Sequence, residues 1–360
     1  MNKAIKYILR RFMVPAIVLT VVLIAVPAIS IFPSSFKYNA DNPYSLLIAT
    51  PSIISVGSFI MVFAASAAAG IIAMEYKFGM QRADFYGQLP FKPKHLRRYF
   101  YIAGLIMTAI TLLVGLLLTA LFVAIRYNID KGSLASGWQM RPMNWQYIWL
   151  GLLFTFGYGI ANYCISATIL DQNIGIFESI INIILFQVVL SLLTQAPTLI
   201  IGFLKESELY NLGFGVVNIA IYGFKFDAAI FANGEVTANA CEIISIIGSY
   251  VIAIVAFLWA FFRKDVSAEK ENTKGKPCVF PIVTLHLAAF AIAMISSLIS
   301  LKNTNLLAWP LIIYGFVLIA YFFLHVVYNH GFKLKKMQWI PIPLVAILGF
   351  AFIVIFAFVK

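Results

Sequence analysis

Charge is what this sequence has least of. Of its 360 residues only 11% are Asp, Glu, Lys or Arg, where a soluble globular domain carries about 25%. A soluble protein so poor in charge could not cover its own surface with polar groups, so soluble folds are excluded and hydrocarbon is the fitting solvent. Cysteine is scarce as well. Cys164, Cys241 and Cys278 form no CxxC pair, and an odd count gives no disulfide framework. The four histidines (His95, His286, His325 and His330) show no HExxH-like spacing, so no metal site is expected. A phosphate-binding loop is missing too. It requires Gly-x-x-x-x-Gly-Lys-Ser/Thr, whose amides and lysine cradle phosphates. The nearest spacing, Gly132 to Gly137, runs on as Trp138-Gln139 and lacks the lysine. If ATP drives this protein, a partner subunit must supply it. No carboxylate pair and no Ser/His/Asp set stands out, so enzymatic activity is not expected.

What is present is grease. Apolar residues make up 62% of the chain and the mean hydropathy is +0.93. A spanning helix takes about 20 apolar residues, and the runs 13–32, 45–74, 99–125, 147–170, 174–204, 241–262, 281–301, 306–328 and 340–359 each qualify. The expected fold is all-α: a polytopic transmembrane helix bundle. The first run follows a charged stretch without a convincing small-residue cleavage site, and Pro15 and Pro27 interrupt it. A retained helix is expected there, with a cleaved signal peptide as the alternative.

Orientation follows from lysine and arginine. With the N-terminus in the cytoplasm, the inside segments are 1–12, 75–98, 263–280 and the stretch with Lys333, Lys335 and Lys336. They hold 18 of the 26 basic residues, against 8 outside. The net charge of +12 is thereby explained as topology, and nucleic acid is not an expected partner. In 1–12, Ile5, Ile8, Leu9 and Phe12 cluster on one helical face, with Lys3, Lys6 and Arg10 on the other. That pattern predicts an amphipathic helix lying on anionic lipid, the alternative being a plain charged flank. The external loop 205–240 encloses an apolar stretch, 212–224, too short to cross and fitting a re-entrant or surface-lying element. Residues 263–280, charged and turn-rich, read as a cytoplasmic linker dividing six spans from three.

Three stretches could carry function. In the fifth run Gln187, Ser191 and Gln195 stack at i, i+4, i+8, beside a second stripe of Glu178 and Asn182. Such groups line a translocation path or hydrogen-bond neighbouring helices. In the second run, residues 64–70 are almost entirely small, with Ser66 and Gly70 four apart, which lets another helix approach closely. The basic loop 75–98 is the most informative. Residues 81–89 make about two helical turns, stopped by Pro90 and Pro93, with Phe85 and Leu89 on one face and Tyr86 beside them. Three large apolar side chains in so short a helix call for a cytosolic partner, or else dip into lipid headgroups.

Here the residues carry a likeness. Two spans followed by Arg82-Ala-Asp84-Phe85-Tyr86-x-x-Leu89-Pro90 resemble the ABC-2-type permeases, the transmembrane subunits of bacterial ATP-binding-cassette exporters. The group most similar is the Firmicutes one with Arg/Ser-x-Asp-Phe-Tyr-x-x-Leu-Pro after the second span. The likeness covers about residues 1–262, as a six-span core. It implies a coupling helix that docks on a separate ATPase subunit through Arg82, Asp84, Phe85, Tyr86 and Leu89. It also implies ATP and Mg on that partner, a second permease copy or related permease, and a bacterial cytoplasmic membrane. Residues 281–360, about three further spans, depart from the pattern. The expected function is export of a peptide, antibiotic or lipid-like substrate. The alternative is an ATP-independent secondary transporter or channel, which should show intramembrane ionisable groups.

Overall fold

The computed structural model describes residues 3–31, 37–39, 52–77, 93–133, 138–140, 145–172, 176–189, parts of 247–262, 279–300, 307–328, 332 and 340–358. These are almost entirely helical. In chain order they form α1 (Lys3–Ile31), β1 (Lys37–Asn39), α2 (Ser52–Met74) with a 3-10 turn at Glu75–Lys77, α3 (Pro93–Gly132), β2 (Trp138–Met140) and α4 (Trp145–Gln172). The remainder are α5 (Ile176–Val189), α6 (Val279–Ser300), α7 (Ala308–Tyr328) and α8 (Pro341–Phe358). Among the described residues three helical stretches are long and apolar enough to cross a membrane: Ile8–Ala25, His95–Gly132 and Ala308–Val326. Their outward faces agree with that. On α1, Met13, Val14, Ile17, Val18 and Val21 are all more than half exposed. On α7, Trp309, Ile312, Phe316, Ile319 and Phe323 are as well. Stripes of large aliphatic and aromatic side chains at helical spacing would be unstable against water and are stable against lipid.

Two departures from the sequence pattern have simple causes. Residues 3–12 and the run that follows are one element: they form the first turns of α1, which runs unbroken through Pro15 and Pro27. On its apolar side Ile8 and Phe12 are buried, and the Phe12 ring lies 6.1 Å from Phe100 of α3. Prolines persist in such a helix because neighbouring groups take up the freed backbone. The second departure is a short antiparallel ribbon, β1 against β2, pairing Lys37 with Met140, Tyr38 with Gln139 and Asn39 with Trp138. Three-residue strands leave no alternation to read, so a purely helical fold was the natural expectation.

The chain divides into two compact units. The first holds α1–α3, α4 through Leu170, and the described residues of 247–262. Small residues govern its packing. A Cβ on Gly70 would stand 3.2 Å from the Ser166 Cβ of α4, and one on Gly104 would meet the Ala73 Cβ of α2 at 2.6 Å and the Tyr163 hydroxyl closer still. The backbones of α2, α3 and α4 therefore come near enough for polar side chains to bridge them. Asn162 Nδ2 donates to Ser66 Oγ at 2.6 Å and to the Phe63 carbonyl at 3.1 Å. Tyr163 donates its hydroxyl to the Tyr101 carbonyl, and Tyr101 donates to the Cys164 carbonyl. Around these lies an apolar core of Leu23, Val62, Ala65, Leu112 and Tyr158.

The second unit contains α5 and the packed trio α6–α8. Two clusters hold the trio together, Ala293 with Tyr314 and Ile353, and Ala289 with Tyr321 and Val345. Gly349 leaves space for the Tyr314 ring, whose hydroxyl donates to the Val345 carbonyl at 2.8 Å.

Candidate functional site

The residues of the expected coupling segment, Arg82, Asp84, Phe85, Tyr86 and Leu89, lie outside the described residues. Both roots of that segment are described, and each is tied down. At its start, Glu75 is 3.5 Å from Arg11 of α1, and the Tyr76 ring stacks on Phe100 at 4.5 Å and 20°. The adjoining Phe12 touches the same Phe100 ring, so α1, the end of α2 and the first turns of α3 meet in one aromatic knot. At its far end, Pro93 opens α3, a position that suits proline because the missing N–H is one the first turn leaves unpaired anyway. One turn on, Arg98 Nε donates to the Phe261 carbonyl at 3.0 Å, and its guanidinium carbon sits 4.8 Å from the Phe261 ring centre. An arginine that serves as both donor and cation over a ring holds two helices in a fixed relation. The two ends of the loop thus contact α1 through Glu75, and Phe261 through Arg98.

Of the expected path residues, Gln187 is described; Ser191 and Gln195 lie outside the described residues. Gln187 is buried, and so are Ser179 and Asn182 on the same helix, α5. On the opposite side Phe177, Ile181, Ile184, Leu185 and Val188 are exposed. The helix is thus polar inward and greasy outward, the reverse of a soluble amphipathic helix and the arrangement that lipid outside demands. Asn182 and Gln187, which belonged to two stripes on the sequence, share one buried face. Ser179 joins them and was missed, because a lone serine in an apolar run gives no signal of its own.

A third grouping is legible only in three dimensions. His286 of α6 and Tyr321 and His325 of α7 converge: Tyr321 Oη and His286 Nδ1 are 2.5 Å apart, and the two imidazole centres are 5.1 Å apart. The Tyr321 ring stands edge-on to His325 at 4.7 Å. His325 is fully buried, and neither ring nitrogen has a hydrogen-bond partner among the described residues. No group of three or more His, Cys, Asp and Glu side chains gathers among the described residues. Set against family models, curated proteins and solved structures, the chain matches none of them.

Proposed function

We propose that this chain is the permease subunit of an ATP-driven transporter, an exporter of a peptide, antibiotic or lipid-like substrate worked by a separate ATPase subunit. In this reading the chain crosses a bacterial cytoplasmic membrane about nine times, N-terminus inside, and pairs with a second copy or a related permease. The observation that carries it is the basic loop 75–98, with an aromatic docking motif at its centre and both roots braced against other helices. A flexible connector would need no such bracing.

The contacts support the following mechanism. Closure of an ATPase pair moves the segment carrying Phe85, Tyr86 and Leu89. The Arg11–Glu75 pair and the Phe12–Phe100–Tyr76 stack pass that displacement to α1, while Arg98 passes it to 247–262. The bundle has two arrangements, and nucleotide and substrate each favour one by binding it more tightly. The inward polar face of α5, Ser179, Asn182 and Gln187, offers hydrogen bonds to substrate along the route.

The test is purification of the chain from its native membrane, without cross-linking, and identification of whatever accompanies it. A nucleotide-binding subunit should co-purify and be lost on Phe85→Asp or Leu89→Asp. Stoichiometric recovery of the chain with no such subunit would overturn the proposal.

A further inference from the structure

We propose that α1 binds an anionic phospholipid, with the headgroup on Arg10 and the acyl chains along Met13, Val14, Ile17, Val18 and Val21. The proposal needs only that α1 lies in a bilayer and is independent of the exporter reading. Its starting point is the difference between two adjacent arginines. Arg11 pairs with Glu75, 3.5 Å away at the end of α2. Arg10 is exposed, and α1 contains no aspartate or glutamate to neutralise it.

Helical spacing puts Arg10 at the head of the aliphatic stripe. Residues 13, 14, 17 and 21 follow it at i+3, i+4, i+7 and i+11. The stripe residues are all more than half exposed, while Ile8, Phe12 and Leu23 on the other side are buried. At about 1.5 Å per residue, Arg10 and Val21 stand roughly 17 Å apart along the axis, close to the depth of one leaflet, about 15 Å. The guanidinium thus sits at phosphate level when the stripe occupies the acyl layer. A guanidinium presents a planar pair of donors that matches a phosphate, and its charge favours an anionic headgroup over a zwitterionic one. Val14, Ile17, Val18 and Val21 are β-branched and stiff at χ1. An acyl chain laid on them freezes little side-chain freedom, so the packing gain is kept. The other outward-facing helices lack this pairing. On α3, Arg97 is buried and Arg98 is held by Phe261; α7 contains neither lysine nor arginine.

The experiment uses the full-length protein in nanodiscs of equal parts dioleoylphosphatidylglycerol and dioleoylphosphatidylcholine, released into native mass spectrometry. Phosphatidylglycerol should be retained over phosphatidylcholine by about five-fold. Arg10→Gln should bring the two to parity. Lys131→Gln, exposed at the far end of α3, should leave the preference unchanged. A phosphatidylglycerol bearing a diazirine midway along one chain should cross-link to residues 13–21, a readout that needs no variant. The proposal is overturned by equal retention of both lipids in the wild-type protein, by an undiminished preference in Arg10→Gln, or by cross-links that miss 13–21. Displacement of the lipid by glycerol 3-phosphate alone would also overturn it, since a headgroup anion would then suffice without the stripe.

Discussion

Asn162 stands at an interface otherwise made of small and apolar side chains, and its two acceptors on α2 explain why it is tolerated there. Polar bridges between membrane helices contribute on the order of 1 kcal/mol each. Asn162→Leu should therefore lower stability by about 1–2 kcal/mol, part of it because Ser66 loses its donor. The double variant with Ser66→Ala should recover some of the loss, as thermal unfolding in detergent would show. Glycine acts by what it lacks. Gly104→Leu forces a side chain against the Ala73 Cβ, which has no rotamer to escape into, and should cost about 1–3 kcal/mol. Gly132, with nothing within 4 Å of the same added atom, is the control. Gly132→Ala should change stability by no more than about 0.5 kcal/mol.

Elements were legible in proportion to their grease. The long uncharged run at 99–125 became the middle of α3, and the small-residue run 64–70 became the face that α4 approaches, because close packing needs missing side chains and the sequence prints them directly. The first helix was harder to read. An amphipathic stripe says that one side is covered but not by what, and Phe100 rather than lipid covers Phe12. Contacts between distant elements left no trace in one dimension, which is why the approach of His286 to His325 and the ribbon of β1 and β2 could not be foreseen. The same bracing makes a test at this scale. Arg11 and Glu75 are each about a third exposed, so their pairing contributes no more than about 1 kcal/mol to stability. If it links α1 to the loop, Arg11→Glu should cut substrate-stimulated ATPase activity of the assembled transporter while barely moving its melting temperature. The swap Arg11→Glu with Glu75→Arg should restore the activity. Equal activity in the wild type and both variants would remove α1 from the path.

For the molecule as a whole, the sign and place of charge do the organising. Lysines and arginines crowd the segments expected in the cytoplasm, greasy faces look outward on α1, α3 and α7, and polar groups turn inward. Coupling to a cytosolic ATPase requires the loop between α2 and α3 to lie in the cytoplasm. The most direct measurement is labelling with a membrane-impermeant maleimide, applied to intact cells bearing single cysteines in a background free of Cys164, Cys241 and Cys278. Gln88→Cys should stay unlabelled until the membrane is permeabilised, while Ser133→Cys, at the far end of α3, should label from outside at once. Labelling of Gln88→Cys in intact cells would place the loop outside, beyond the reach of any cytosolic ATPase.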